Sequence, residues 1–599
     1  MNKKVSNGSH GVVRNIVKVF SLSFKAAPVN LVLLILVSLI MGAWTILGAK
    51  AFSLFIDAIV GFIKSGSSNE VWYTLFLYIA IIITPNFLDI AHRFLDWKFY
   101  LRFQTYVELF ILGKRANFDV AHYESSEFLD KLRHAFNQGT SPLKNISDRM
   151  IWVFRYGATA VVGSLAVLLI DWRVFCIIFI LAIPQFIVEL KANKTLWNIS
   201  MSNSKEKRVY DHLNGFFFNR FSFIEAKLFG IHWNFIGRIK KLLTDFNEQQ
   251  IPVEKKRALI SIATEALSAV GIFAGMALIV QKALSGEVNV GSIVFVFSAA
   301  SSAKDQMGNL FMQISRISSD SLYTEDIFKV IDAEPVVKES KTAKEISLDS
   351  APIIEFRGVS FKYPGTEEFA VRDISFIMQP GDKIGLVGHN GSGKSTLVRL
   401  LLRFHDPTEG QILINGTDLR EIKRDSWWEG LGVLLQDFSN FSFTVAETVA
   451  VSKIEKPVDR EMVKQAVEMS ALDGLVKSWP KGIDEQLGTE FGGRELSKGE
   501  RQKAAVARVF YRNAPLTILD EPTAAVDSDS AMTIFGAVER MPADKSAVLI
   551  SHNFATIRRA TRVLVLEGGK LIESGTHDEL MQKGGAYARS FRTQAEQFS

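Results

Sequence analysis

Apolar residues crowd into the first half of the chain, in six uncharged stretches at 26–49, 71–88, 156–170, 174–188, 266–281 and 288–303. Several are shorter than the roughly 20 residues that cross a bilayer, but each runs on in a helix-compatible pattern with charge only at its flanks. The pattern predicts six membrane-spanning helices. Ahead of the first, 12–24 predicts a short amphipathic helix whose Arg14 and Lys18 would sit among lipid headgroups. Beyond residue 350 the period changes. The segments 353–356 and 359–361 alternate as strands, and short apolar strand signals then alternate with helical segments to the end, an α/β arrangement.

The polar connections come in two lengths. Those at 113–145 and 189–257 are long and helix-rich, whereas 64–70, 171–173 and 282–287 are short. Residues 1–27 carry Lys3, Lys4, Arg14, Lys18 and Lys25 and no acid, which predicts a cytoplasmic N-terminus. Six spans would return the chain to that side. The first apolar run begins too late and is too long for a cleaved signal peptide. A charged linker at 333–350, with Pro335 and alternating Lys and Glu, separates a transmembrane domain at 1–332 from a second domain at 351–599. Two parts of the long connections stand out. The Ser/Glu spacing of 123–130 suits a capped short helix, and the phenylalanine cluster of 216–225 predicts docking into a pocket on another domain.

At 599 residues the chain is too long for one domain, and 48% hydrophobic is rich for a soluble protein of that size. A net charge of +6 would invite a nucleic-acid reading in a soluble protein. Basic loops at a membrane face account for it instead, and no nucleic-acid partner is expected. Cys176 is the lone cysteine, which excludes an internal disulfide.

Candidate chemistry lies in the second domain. A buried-strand signal at 383–387 is followed at once by Gly388-His389-Asn390-Gly391-Ser392-Gly393-Lys394-Ser395-Thr396, which fits G-x-x-x-x-G-K-[ST]. Its glycines let backbone N–H groups turn inward around phosphate oxygens. Lys394 supplies a cation for the terminal phosphates and Ser395 a hydroxyl ligand for Mg²⁺. A second buried strand at 516–519 delivers Asp520 toward the same Mg²⁺, with Glu521 next in line as general base on an attacking water. Between these motifs, Leu496-Ser497-Lys498-Gly499-Glu500-Arg501-Gln502 sets a hydroxyl and backbone N–H groups just before a helix, where they can meet a phosphate.

In this order the three motifs resemble those of ATP-binding cassette (ABC) proteins, whose usual middle motif is Leu-Ser-Gly-Gly-Gln. Here Lys498 replaces a glycine and Glu500 the glutamine. The resemblance implies a multidomain membrane protein: a six-helix exporter-type transmembrane domain followed by an α/β P-loop ATPase domain, together a half-transporter, with 123–130 and 216–225 as the segments of its long inner loops that touch the ATPase. It implies ATP and Mg²⁺ as cofactors, Tyr363 as the aromatic that stacks on adenine, and Gln436 as the group that senses Mg²⁺ and water. His552 would orient the γ-phosphate and water, and Asp527 would sit in the loop that crosses a dimer interface. Ser497, Lys498, Gly499 and Glu500 would face ATP held by a second copy of the chain, or by a heterodimer partner. The function implied is ATP-driven export of an unidentified substrate by alternating access, from a lipid membrane of the bacterial inner or plasma type. A lipid flippase, a regulatory ATPase and an importer on the same fold are the alternatives. Ionisable residues near the inner ends of the spans, among them Asp89, His92, Arg93, Asp96, Arg155, Glu189, Glu265, Lys304 and Asp305, either line a transport cavity or pair across helices.

Overall fold

The computed structural model describes residues 8–66, 68–136, 139–551 and 557–596. They form two compact units, one of Met1–Phe118 with Glu127–Ala333, the other of Asp119–Ser126 with Glu334–Ser599.

The first unit is helical. A peripheral helix α1 (Gly8–Ala26) leads into α2 (Pro28–Ser65), whose first position is a proline, tolerated there because that N–H has no helical partner. Next comes α3 (Asn69–Ala116). The second unit then takes in α4 (Val120–Glu124), which breaks at Ser125 before α5 (Ser126–Phe136). The remaining helices are α6 (Ser141–Ile170), α7 (Trp172–Ser202), α8 (Ser204–Phe218), α9 (Arg220–Leu228), α10 (His232–Leu284) and α11 (Val290–Ile331). Helix α11 packs on α2, α6, α7 and α10. Small residues let these helices approach: a Cβ on Gly42 would fall 2.5 Å from the Arg155 carbonyl, and one on Gly163 3.1 Å from the Ala303 Cβ. Outward-facing Trp72, Phe76, Phe87, Leu169 and Phe273 are left without cover in the chain itself, as lipid-facing positions are.

Among the described residues five helices are long and apolar enough to cross a membrane: Pro28–Ile63, Asn69–Ala116, Ser141–Ile170, Trp172–Leu196 and His232–Leu284. That is one fewer than the six predicted. The sixth, α11, is long enough but carries Lys304, Asp305 and Gln306 where its apolar run should continue. Between α6 and α7, Asp171 accepts hydrogen bonds from Arg173 at 2.8 Å, and Lys282 at the end of α10 lies 2.9 Å from the same carboxylate. Arg173 above all, and then Lys282, hold the Asp171 carboxyl well below the usual carboxylate range. This ties the α6–α7 turn to the α10–α11 turn.

The phenylalanine cluster divides. Phe216 packs against His212 and Phe235, and Phe217 against Phe223, closing their own helices, whereas Phe218 and Phe221 are exposed.

The second unit has two sheets. An antiparallel one runs β2 (Val371–Met378), β1 (Ile354–Phe361), β4 (Glu409–Ile414), β5 (Thr417–Asp418). The larger runs β10 (Lys570–Gly575), β9 (Arg562–Glu567), β3 (Lys383–Val387), β8 (Ser546–Ile550), β7 (Leu516–Asp520), β6 (Leu431–Leu434), parallel except for β10. Every residue of β3, β7 and β8 is buried, which is why their central residues read as short apolar runs and not as an alternating pattern. Helices α12 (Lys394–Leu401), α17 (Lys498–Arg512) and α18 (Ser528–Glu539) follow the chemistry-bearing loops. The carboxyl ends of parallel strands are where ligands bind in such sheets.

Candidate nucleotide site

Strands β3 and β7 both pair with β8, so the loops that leave them come together at one end of the sheet. The loop after β3 turns on Gly388, Gly391 and Gly393, all with positive φ. At Gly393 a side chain is excluded outright, because a Cβ would lie 2.7 Å from Val371 Cγ1 and 3.0 Å from the Ala370 carbonyl. His389, Asn390 and Gly391 are exposed at the loop's tip, while Ser392, Lys394 and Thr396 are buried. Lys394 Nζ donates to the carbonyls of Gly388 at 2.8 Å and His389 at 3.0 Å. Burial lowers its pKa, opposed by the charges of Asp520 and Glu521.

Ser395 Oγ donates to Asp520 Oδ2 at 3.5 Å. Burial, then the neighbouring Glu521 charge, pushes the Asp520 carboxyl up to about 6. Glu521 has a left-handed backbone, φ 50°, and its N–H donates to Ile550 O at 2.9 Å. Its side chain accepts from Gln436 Nε2 at 3.4 Å. Thus Lys394, Ser395, Asp520, Glu521 and Gln436 are brought together. His552 lies outside the described residues.

The residues fit a magnesium nucleotide. Ser392 Oγ is buried with no hydrogen-bond partner, an orphan hydroxyl inside an anion-binding loop. Asp520 is a carboxylate that burial disfavours unless a cation stands beside it. Among the described residues no cluster of three or more His, Cys, Asp or Glu could hold a metal alone. A cation here would draw ligands from phosphate, as Mg²⁺ does.

Within its own chain the middle motif is held by local capping. Ser497 caps α17: its Oγ accepts from the Glu500 N–H at 3.3 Å, while the Ser497 N–H donates to Glu500 Oε2 at 2.7 Å. Glu500 therefore closes a capping box, a job open to Glu or Gln alike. Lys498 is exposed. A Cβ on Gly499 would lie 2.5 Å from the Ala525 carbonyl, so packing against the loop after Glu521 requires glycine there. Asp527 caps α18 through Ser530 and pairs with Lys503 at 3.1 Å. The Ser530 backbone N–H and hydroxyl, then Lys503, hold its carboxyl well below the usual range.

Two relationships were invisible in the motifs. Gln502 Nε2 donates to the Glu521 carbonyl at 2.6 Å and its Oε1 accepts from the Ala525 N–H at 2.8 Å, tying α17 to the loop that carries Glu521. Tyr363, half-buried, accepts from Arg399 at 2.9 Å and lies 3.3 Å from Thr396 Oγ1. Arg399 is 3.2 Å from Glu124, whose other oxygen is 2.5 Å from His405 Nε2, and His405 meets the Tyr363 ring edge-on. Glu124 stands far away in sequence, within the 123–130 segment expected to touch the ATPase, and the fold reveals its partners.

Long apolar helices joined to a phosphate-loop ATPase unit define an integral membrane protein driven by a nucleotide. The ABC transporter pattern matches residues 371–524. The chain is 32% identical over 486 residues to a β-(1→2)glucan export ATP-binding/permease protein of Rhodopseudomonas palustris, covering 79% of this chain and 77% of that one. It is 26% identical over 586 residues to a subtilin transport ATP-binding protein of Bacillus subtilis, covering 96% and 94%. Its fold matches a bacterial Atm1-family ABC exporter with ATP bound, with TM-score 0.82 and 22% identity over 94% of this chain and 99% of that one. The chain belongs to the ABC transporter family, and within it to the exporter-type half-transporters.

Proposed function

We propose that two copies of this chain form an exporter in which ATP, bound to each Gly388–Thr396 loop, drives alternating access of the membrane helices. The chain is an ATP hydrolase coupled to export. The carrying observation is the meeting of Lys394, Ser395, Asp520, Glu521 and Gln436 at the carboxyl ends of β3 and β7. Lys394 and the loop N–H groups bind the phosphates, Ser395 and Asp520 hold Mg²⁺, and Gln436 senses it. Bound Mg²⁺ neutralises charge developing on the phosphates. Glu521 takes the proton of the attacking water, and Tyr363 stacks on adenine. His552, by resemblance, orients that water.

In this reading Ser497 and Gly499 complete the second copy's site, with Lys498 and Glu500 beside them and Asp527 in the crossing loop. Helix α11 serves as the sixth span, the N-terminus and the ATPase lie in the cytoplasm, and the membrane is of the bacterial inner type. The exposed Phe218 and Phe221 supply a docking surface for the second copy. The relatives named above are named for cargo as different as subtilin and a β-(1→2)glucan, so the cargo must be read from this chain's own helices.

The test is complementation. Lys394→Ala and Ser497→Ala each damage both sites of a homodimer, but a mixed dimer keeps one intact site. Co-expressed and purified through two tags, the mixed dimer should recover ATP-dependent hydrolysis that neither variant shows alone. No recovery would overturn the shared-site dimer.

A further inference from the structure

Helices α7, α10 and α11 of the first unit enclose an open cavity of about 690 Å³. Its walls carry Glu189, Glu265, Lys304 and Asp305, four of the charged positions expected near the inner ends of the spans. Of the others, Asp89 lies 3.2 Å from Arg93 and 3.9 Å from Arg155, and His92 is buried against Ser38 at 3.1 Å, all away from this cavity. Because Asp171 and Lys282 join the far ends of these helices, depth can be counted from one side. At 1.5 Å per residue the four groups lie roughly 20–30 Å inward from Trp172, Leu284 and Val290, close to the inner edge of a hydrocarbon core about 30 Å thick.

The charges do not cancel. Glu189 is neutralised by Arg257, 3.0 Å away, in a pair whose members are both largely covered. Among the described residues Lys304 is the one ammonium on the wall, and it is shared by two carboxylates, Glu265 in direct contact and Asp305 at 3.3 Å. Lys304 is only 15% exposed, while Glu265 and Asp305 are 70% and 59% exposed. An entering ligand therefore meets carboxylate oxygen first and the ammonium hardly at all, and one negative charge is left over. Leu181, Ile262 and Met312 supply apolar wall beside it. Charge at this depth is expensive unless it faces protein, water or a ligand.

We infer that this cavity is the cargo site of the exporter and selects an apolar body bearing an ammonium or other delocalised cation, rejecting anions. The inference rests on the export reading, and the experiment separates the two. Rhodamine 6G and fluorescein share a xanthene ring system but differ in charge, and both report by fluorescence. Binding of each to the purified full-length protein, by anisotropy, reads the site; ATP-dependent uptake into inside-out vesicles reads export.

Rhodamine 6G should bind and fluorescein should not. Glu265→Gln with Asp305→Asn should weaken rhodamine 6G binding about tenfold, since a partly solvated charge contact is worth on the order of 1 kcal/mol. Lys304→Gln should tighten it severalfold, a gain that damage to the fold would not produce. Preference for fluorescein, no rhodamine 6G binding, or the same affinity in all three proteins would overturn the cation site whatever the vesicles show. Carboxylate-dependent binding without uptake would leave the site standing and overturn export of such cargo.

Discussion

The Glu500 carboxylate accepts a hydrogen bond from the backbone N–H of Ser497 at 2.7 Å, turned back on its own helix. A residue that departs from the usual family motif is thereby occupied in local capping, and the adjacent Lys498 points to solvent. Lys498→Gly with Glu500→Gln should change kcat by less than roughly tenfold, because a glutamine closes the same capping box. Glu500→Ala should instead lower stability by about 1 kcal/mol, visible as a lower Tm. A change in kcat of several orders of magnitude in the double variant would show that the two residues do more than cap and solvate.

Glu521→Gln removes the base while keeping a side chain of the same shape. ATP affinity should be retained and turnover should fall by about 10²-fold or more, with closed dimers accumulating in ATP. Lys394→Ala should act on nucleotide affinity itself. Measured side by side, the two variants separate binding from chemistry, and near-normal hydrolysis in Glu521→Gln would remove that residue from the role of base.

Asp520 carries a linkage prediction. With its folded pKa raised to about 6 and an unfolded value of about 4, the folded state binds the extra proton between these values. Stability without nucleotide should therefore fall as pH rises from about 4 to 6, and the deficit should persist above that window. A shift of about two units corresponds to about 2–3 kcal/mol as an upper figure. Asp520→Asn should raise the nucleotide-free Tm at pH 7.5, gain less at pH 4.5, and lose most Mg²⁺-dependent hydrolysis. Equal gains at both pH values would contradict the assigned titration.

Gln502→Ala should strand the Ala525 N–H and leave the Glu521 carbonyl to the longer 3.3 Å bond from the Ala524 N–H, at a cost of about 1–3 kcal/mol. Because the loop that carries Glu521 would loosen, kcat should fall more than ATP affinity. Gln502→Glu, which can accept from Ala525 but not donate to Glu521, should fall between the two. Thermal unfolding and steady-state kinetics together would decide this.

What the chain disclosed before folding follows from how local each signal is. The phosphate loop is contiguous, and its glycines and Lys394 mean the same thing in sequence and in space. The buried strands before Gly388 and Glu521 were legible for the same reason. Helix α11 was harder: its apolar run stops at Lys304 and Asp305, where Lys304 pairs with Glu265 of α10 and with Asp305 beside it. Glu500 stood only as a replacement of the usual glutamine, because nothing in the motif announced that it would bend toward Ser497. Gln502 was missed for a different reason, as it acts only through contacts closed by the fold, and Glu124 was legible only as part of the 123–130 segment expected to touch the ATPase, not as the partner of Arg399 and His405. The left-handed turn at Glu521 likewise leaves no trace in composition.

The short piece Asp119–Ser126 belongs to the ATPase unit although the chain returns to the membrane helices on either side of it. Asp119 pairs with Arg424 at 2.5 Å and accepts the Val337 N–H at 3.0 Å, and Glu124 serves both Arg399 and His405. A cassette excised at residue 334 would leave without those eight residues, with Arg399 and His405 stripped of Glu124 beside the tyrosine proposed to hold adenine, and Arg424 left to Glu339 without Asp119. It should be less stable and bind ATP more weakly than the same unit in the whole protein, and an added 119–126 peptide should restore part of both. In evolutionary terms this ATPase is no interchangeable cartridge. Swapping it between transporters works only if the recipient's loop brings matching carboxylates, so the two halves of the gene are bound to drift together.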